Sequence, residues 1–277
     1  MTMPDPSTFT TVINSYLPEP HASLLNGILF GVSLKTSKVF YEQLKTVGLL
    51  HLVVLSGMNI TLLAAMLLPL TRYFSKIVSV VIIILTIIIF VIFVHPQAPI
   101  VRAAFMGILT FVAIIYGRKT SALYLLFLSA IFIAIVSPRW LTTVSFQLSY
   151  AATLSLILFN TQKPFHISQD VKGWKRRWIE LRHGLYEEFG TSVAAQILSA
   201  PVIFFYFKQV SLVSPLANVA VAWTVGPLMV FGFLTAFLGK IYYPLGLPFA
   251  GVCYVLLSYM VWMINLLSRL PYAMIKF

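Results

Sequence analysis

The sequence predicts an all-α, polytopic integral membrane protein with about eight transmembrane helices and one amphipathic interfacial helix. Hydrophobic residues make up 60% of the 277 residues, charged residues make up 9%, and the mean hydropathy is +0.94. Soluble domains have about 45–50% apolar and 25% charged residues. Because one span needs about 20 apolar residues, a chain of this length holds about eight spans with short connections.

Residues 1–46 are predicted to form an N-terminal extracytoplasmic or interfacial segment, and residues 47–277 the membrane domain. The apolar run Leu24–Leu34 has about 11 residues, too few to cross a bilayer, so we expect an interfacial or re-entrant position. Eight further apolar runs each predict a span. They are Val47–Leu70, Ile77–Val94, Ala98–Tyr116, Ser121–Val136, Thr142–Phe159, Thr191–Phe207, Ser211–Gly239 and Leu247–Leu267.

The seventh run leaves two alternatives open. Pro215, Gly226 and Pro227 interrupt Ser211–Gly239, and proline weakens a helix interior. The run therefore fits either one kinked span or two half-helices.

The connection of residues 161–190 predicts an amphipathic helix in the cytoplasmic interface. Lys172, Lys175, Arg176 and Arg177 lie mostly off its apolar stripe. Two roles stay open: anchoring on anionic lipid, or docking of nucleic acid or a cytoplasmic motor. The stripe consists of Ile167, Val171, Trp174, Trp178, Leu181, Leu185 and Phe189.

The distribution of basic residues predicts the orientation of this chain, whose net charge is +12. Lys and Arg collect on the cytoplasmic side of membrane proteins. Alternate connections carry ten basic residues on one side and five on the other, so we expect the first side to be cytoplasmic and the N-terminus to lie outside. The ten are Arg72, Lys76, Arg118, Lys119, Lys163, Lys172, Lys175, Arg176, Arg177 and Arg182, and the five are Lys35, Lys38, Lys45, Arg139 and Lys208.

Arg102 is the clearest candidate for a functional residue within a span. A cation in lipid is costly unless it reaches a cavity, a partner or the interface. No predicted span contains Asp or Glu, so the alternative to a functional site is snorkelling to the outer surface. An unpaired cation beside an aqueous path would suit a polyanion.

Polar residues on later spans are candidates for the same path. The amides of Gln147 and Gln196 must find partners or water in a membrane, so each either packs helices or lines a path. Gln196 shares a helix face with Ser192 and Ser199. Ser149 adds a hydroxyl near Gln147.

A second group of residues is predicted to shape broken helices. His51, Ser56, Gly57 and Asn59 interrupt the first span, and Gly57 allows a bend or a close backbone approach. A lone histidine in a membrane is more often structural than catalytic. Pro215 and Asn218, at the start of the seventh span, are predicted to belong to the same group.

The sequence gives no sign of an enzyme, a metal site or a cofactor. Spans without carboxylates argue against proton-coupled or sodium-coupled carriers. The chain has no phosphate-binding loop, no zinc-protease motif and no serine-hydrolase motif. Its one cysteine, Cys253, excludes a disulfide framework.

Five strings occur together and in order: LPEPHASLLNGILFG from Leu17, GLLHLVVLSGMNI from Gly48, APIVRAAFMG from Ala98, SPRWLTTVSFQLSYAA from Ser137 and YFKQVSLVSPLAN from Tyr206. This ordered set resembles the membrane competence domain of ComEC-type proteins. The resemblance covers Leu17–Gly239, which is most of the chain.

The resemblance implies a channel in the bacterial inner membrane that passes single-stranded DNA into the cytoplasm during natural transformation. In the family signatures, H-x-x-x-x-S-G covers His51, Ser56 and Gly57; P-x-x-R-A covers Arg102; F-Q-L-S covers Gln147 and Ser149; and S-P-x-x-N covers Pro215 and Asn218. Many relatives have histidine where Asn59 stands.

Larger relatives add an OB-like domain and a metallo-β-lactamase-like nuclease domain, and neither fits in these 277 residues. We therefore expect a separate extracytoplasmic DNA receptor and nuclease, and a cytoplasmic ATP-driven translocase that docks near Lys172–Arg177. Assembly with further copies of the chain stays open. The alternative functions are a small-molecule transporter and a non-transporting scaffold of a DNA-uptake assembly.

Overall fold

The fold is a bundle of α-helices, described in a computed structural model for residues 6–53, 56–159, 174–271 and 273–276. The side chains of Lys175, Arg176, Leu181 and Lys276 lie outside the description. The helices in these ranges are α1 (Ser7–Tyr16), α2 (His21–Phe30), α3 (Lys38–Thr46), α4 (Leu50–Val53), α5 (Gly57–Thr71), α6 (Lys76–Phe93), α7 (Ala98–Ile115), α8 (Ala122–Val136), α9 (Val144–Phe159), α10 (Trp174–Phe207), α11 (Ser214–Ile241) and α12 (Tyr243–Ser268), with a 3-10 helix at Pro138–Thr142.

The hydropathy of these helices confirms the predicted all-α, polytopic membrane class. Five helices in the described ranges are long and apolar enough to cross a bilayer: α6, α7, α10, α11 and α12. Helices α5, α8 and α9 correspond to the remaining predicted spans but have only 15 or 16 residues each. A helix of that length extends about 24 Å, somewhat less than the hydrocarbon core.

Helix α6 shows how the local sequence sets these elements. Its N-terminus is capped by Ser75, whose hydroxyl accepts a hydrogen bond from the Val78 amide at 3.3 Å. After Lys76 its sequence is almost entirely Ile, Val, Leu and Phe, and a membrane helix of this kind satisfies every backbone group internally. The prediction of Ile77–Val94 therefore agrees with the helix within one residue at each end.

The predicted span Val47–Leu70 is not one helix. Helix α4 ends at Val53, Ser56 is extended at φ −114° and ψ 171°, and α5 begins at Gly57. The Ser56 hydroxyl donates to Oδ1 of Asn59 at 3.1 Å, which stabilises the start of α5. The polar residues that interrupt this span therefore mark a real break.

The predicted amphipathic helix and the predicted span Thr191–Phe207 are parts of one helix, α10. A separate interfacial helix was expected because of the polar residues before Gly190. A single glycine costs only about 1 kcal/mol inside a helix, which is not enough to end it. Residues 161–173 of the predicted interfacial helix, including Lys172, lie outside the described residues.

The run Ser211–Gly239 forms one helix, α11, so the alternative of two half-helices is wrong. Pro227 lies inside α11 and Pro215 lies in its first turn, where a proline leaves no helical acceptor unpaired. Because Pro227 has no amide hydrogen, the carbonyl of Trp223 one turn earlier lacks its usual helical donor.

Helix α2, which contains most of the run Leu24–Leu34 predicted to be interfacial or re-entrant, lies in the core of the helix bundle. All of its residues except His21 are buried. A Cβ on Gly232 of α11 would approach Leu25 and Leu29 of α2 to within 3 Å, so the small residue lets the two helices meet.

The first 46 residues contact both ends of α11. The Tyr16 hydroxyl donates to the Tyr243 carbonyl at 2.5 Å, just after α11 ends. The Ser211 hydroxyl donates to the Thr46 carbonyl at 2.7 Å, just before α11 begins. Two short antiparallel strands, β1 (Gln209–Ser211) and β2 (Met274–Lys276), pair Ser211 with Met274 and join this end of α11 to the last described residues.

Candidate functional site

Arg102 lies inside the helix bundle. It follows Pro99 in the first turns of α7, and only 8% of its surface is exposed. Its Nη1 donates a hydrogen bond to the Thr153 hydroxyl of α9. Thr153 in turn donates to the Ser149 carbonyl one turn earlier at 2.9 Å, so α9 offers Arg102 an oriented hydroxyl acceptor.

An aromatic ring and a second hydroxyl complete this cluster. The Arg102 Cζ lies 5.9 Å from the centre of the Tyr150 ring, within the range of a cation–π contact. The hydroxyls of Tyr150 and Ser129 are 2.7 Å apart. Because Ser129 donates to the Leu126 carbonyl, Tyr150 is the donor in this pair. Three helices, α7, α8 and α9, are thus tied together around one cation.

The charge of Arg102 has no acidic partner among the residues that the structure describes. The sequence contains no Asp or Glu between Glu42 and Asp170. The Nε atom of Arg102 is buried and makes no hydrogen bond within the described ranges. This burial differs from the snorkelling alternative, and it leaves the Nε–H donor of the guanidinium for an incoming acceptor.

Gly57 brings the start of α5 against the same guanidinium. A Cβ on Gly57 would stand 3.1 Å from Nη2 of Arg102 and 3.2 Å from the Cβ of Ala103. Two residues later, Nδ2 of Asn59 donates to the Ile28 carbonyl of α2 at 2.6 Å, and Asn59 is 2% exposed. The break before α5 is therefore fixed to α2 on one side and to Arg102 on the other.

A second cluster joins the start of α4 to the start of α11. Gly48 has φ +74°, and a Cβ there would lie 2.6 Å from the Cβ of Ser214. His51 is exposed, and its Nδ1 lies 2.9 Å from the Gly48 carbonyl. Pro215 is buried beside Ser214 in the first turn of α11. The two distant strings are thus neighbours in the fold where Gly48 meets Ser214.

Asn218 extends this second cluster to α10. Its Nδ2 donates to the Ser192 hydroxyl at 2.6 Å, while its Oδ1 is buried without a hydrogen bond in the described chain. Ser192 and Ser199 are buried, and Ser199 donates to the Ala195 carbonyl of its own helix at 2.8 Å. Of the predicted polar face, only Gln196 is partly exposed.

The two predicted path amides are not part of either cluster. Gln147 and Gln196 are partly exposed, and neither side chain hydrogen-bonds to a residue that the structure describes. Gln196 lines a shallow, mostly apolar groove with Val193, Ala200 and Phe204. Ser149 contributes its carbonyl to Thr153, not its hydroxyl.

Of the four residues predicted for docking, Arg177 alone has a described side chain, and it is exposed at the start of α10. Lys172 lies outside the described residues, as do the side chains of Lys175 and Arg176.

Sequence reasoning missed Ser129 and Thr153. Thr153 lies four residues after Ser149 on the same helical face, which was the available signal.

The helices and the buried arginine define a polytopic membrane protein that holds a cation without an acidic partner in the described part of its bundle. The chain belongs to the competence protein family, because the family model described as "Competence protein" matches residues 28–277. Its role is therefore in competence, the uptake of DNA. Comparisons with curated proteins and with solved structures find no match.

Proposed function

We propose that this protein is the inner-membrane channel that passes single-stranded DNA into the bacterial cytoplasm. The observation that supports this proposal best is the buried guanidinium of Arg102, which has a free Nε and no acidic partner in the described chain. A conduit for a polyanion needs enough positive potential to admit the strand, but contacts weak enough to release it. One arginine beside a hydroxyl and an aromatic ring would meet both requirements.

In this proposal, the bundle around Arg102 is a closed state. Thr153 and the Tyr150 ring hold the guanidinium where a phosphate would bind. Entry of a strand moves α9 away from α7, so that a phosphate oxygen replaces the Thr153 hydroxyl on Nη1. Gln147 and Gln196 carry unused amide groups at partly exposed positions, and they offer further transient hydrogen bonds along the path.

We also propose that the chain is not an enzyme and that its partners supply the other activities. A separate extracytoplasmic receptor and nuclease would deliver one strand. A cytoplasmic ATP-driven translocase would supply the driving force and dock on the basic residues Lys172–Arg177. Deletion of these residues should abolish import while leaving the protein inserted, and normal import would remove the docking proposal.

The proposed orientation places the basic connections in the cytoplasm and the N-terminus outside. Since the first 46 residues contact both ends of α11, one labelling site cannot report on all of them. Cysteines at Ser15 and at Ser33, in a Cys253→Ser background, should be labelled separately by an impermeant reagent in intact cells. Labelling of the cysteine at position 15 in intact cells supports an external N-terminus. Labelling of that cysteine only after the cells are opened contradicts it.

The function is tested by DNA uptake in a competent host that lacks its own channel. Labelled duplex is supplied, and the protected single-stranded label in the cytoplasm is measured for the intact chain, a deletion, Arg102→Lys and Arg102→Gln at matched membrane levels. We expect uptake with the intact chain, reduced uptake with lysine and little with glutamine. If glutamine leaves uptake unchanged, a scaffold is favoured. If the deletion imports DNA normally, a small-molecule transporter becomes the leading function.

A further inference from the structure

A groove at one end of helices α5, α6 and α7 combines an apolar floor with a basic rim. The groove has a volume of about 440 Å³. Its floor includes Leu68 from α5, Val80 and Ile83 from α6, and Phe111 and Ile114 from α7. Its rim includes Arg72 and Lys76, both exposed, on the turn between α5 and α6.

Two further cations lie at the same end of the three helices. Arg118 and Lys119 begin three residues after the end of α7, and both are exposed. No acidic residue occurs in the sequence from Gln43 to Gln169, so nothing within these helices or their turns neutralises the four charges. The N-terminus of α6 points its first amides toward the same turn, which adds to the positive potential there.

Aromatic and hydroxyl side chains surround the charged rim. Tyr73 is 79% exposed and Tyr116 is 75% exposed, at the level where a membrane protein usually presents tyrosine to the headgroups. The Arg72 guanidinium donates to the Tyr73 hydroxyl at 2.7 Å, so this cation is held at the rim of the groove. The Ser79 hydroxyl donates to the Thr71 carbonyl at 2.7 Å and closes the turn beneath it.

From this arrangement we propose that the groove binds one anionic phospholipid, with its phosphate on Arg72 and Lys76 and an acyl chain on the floor between α6 and α7. A basic pocket between transmembrane helices is the usual setting for an anionic headgroup. The apolar floor favours a lipid over a nucleic acid, because a DNA backbone brings no hydrocarbon to cover Ile83 and Phe111.

The test measures lipid that stays with the protein when it is purified in detergent without DNA, from a host that does not take up DNA. Mass spectrometry gives the ratio of retained phosphatidylglycerol to retained phosphatidylethanolamine. The variant Arg72→Gln/Lys76→Gln is compared with Lys38→Gln/Arg139→Gln, which loses the same net charge at exposed positions elsewhere. A second variant, Leu68→Trp, fills the groove and keeps both cations.

A cation near a membrane surface contributes about 1 kcal/mol to anionic lipid binding, so removing two should lower the phosphatidylglycerol ratio about thirtyfold. Leu68→Trp should also lower it, and the matched control should not. Equal losses in the variant and the control would mean general surface charge and would overturn the proposal. Unchanged lipid together with weaker binding of a single-stranded oligonucleotide would overturn it in favour of a nucleic-acid surface.

Correct folding is checked for each variant by a single symmetric peak in size exclusion. If the double variant aggregates, Arg72→Gln alone is measured, and the expected loss is about fivefold. A ratio unchanged in that folded variant overturns the proposal. Because lipid retention is measured without DNA, a failure of that measurement leaves the proposed channel function untouched.

Discussion

The backbone of Gly57 lies against the guanidinium of Arg102, so closely that a Cβ on Gly57 would stand 3.1 Å from Nη2. This contact joins the break between α4 and α5 to the buried cation of α7. The same break is held from the other side by the hydrogen bond from Asn59 to the Ile28 carbonyl. Arg102 and the break therefore form one unit, and a change in either should be felt by the other.

Gly57→Ala is expected to insert but to lower DNA uptake. The flexible guanidinium can move away from the new methyl group, whereas the Cβ of Ala103, at 3.2 Å, belongs to the helix and cannot. Gly57→Val should be worse, since overpacking costs about 1–3 kcal/mol. Uptake is measured at matched membrane levels. Gly251→Ala in α12, where a Cβ meets nothing within 4 Å, is the control, and an equal loss there would contradict this account.

Asn59→Leu is expected to destabilise the protein by about 1–3 kcal/mol, because it leaves the Ile28 carbonyl without its donor. Thermal unfolding of the purified protein in detergent measures the effect as a lower midpoint. Thr61→Val on the same helix is the control, since the Thr61 hydroxyl is exposed and donates at 3.4 Å to its own helix. Equal midpoints for the two variants would show that the Asn59 amide does not hold α5 to α2.

Gly48→Ala should be much more destabilising than Gly117→Ala. Both glycines have positive φ, +74° and +64°, so both substitutions cost about 1–3 kcal/mol of backbone strain. Only Gly48 adds a clash, with the Cβ of Ser214 at 2.6 Å, because nothing lies within 4 Å of a Cβ on Gly117. The difference between the two unfolding midpoints isolates the contact between α4 and α11. Ser214→Gly should restore part of the loss, and no restoration would contradict the contact.

The hydrogen bond between Asn218 and Ser192 should appear as a coupling energy. In a double-mutant cycle of Asn218→Ala and Ser192→Ala, we expect an interaction of about 1 kcal/mol in the free energy of unfolding. The control is a second cycle of Asn218→Ala and Ser199→Ala, because the Ser199 hydroxyl donates to a carbonyl of its own helix. A coupling as large for Ser199 as for Ser192 would show that α10 and α11 are not joined at this pair.

Uninterrupted apolar runs and the position of the break before α5 were predictable from the sequence, but the contacts that hold that break were not. Ile77–Val94 matches α6 because nothing in the run competes with a helix. The extended Ser56 depends on contacts of Gly57 with Arg102 and of Asn59 with Ile28, residues 45 and 31 positions away in the sequence. Local periodicity carries no information about such contacts.

Some residues of the candidate site were likewise predictable from the sequence, and others were not. Arg102 stands out in the sequence because a charge in an apolar run is costly in lipid. Its acceptor, Thr153, is one of many hydroxyls on membrane helices, and only the packing of α9 against α7 selects it. The path amide Gln147 was chosen by residue type and by the family resemblance, and Gln196 by residue type and its shared polar face. The structure leaves both without a hydrogen-bond partner in its described part.

Site-specific photo-crosslinking to a DNA strand held in transit tests the channel directly. A photoreactive residue is placed at Thr153 beside Arg102, at Gln147 or at Gln196, and uptake is halted with a bulky group on the incoming strand. The control position is Phe127, which is 64% exposed on α8 and faces away from the cluster. The account predicts crosslinks to single-stranded DNA at Thr153 and not at Phe127. A strand halted in transit that crosslinks at none of the three path positions would contradict it.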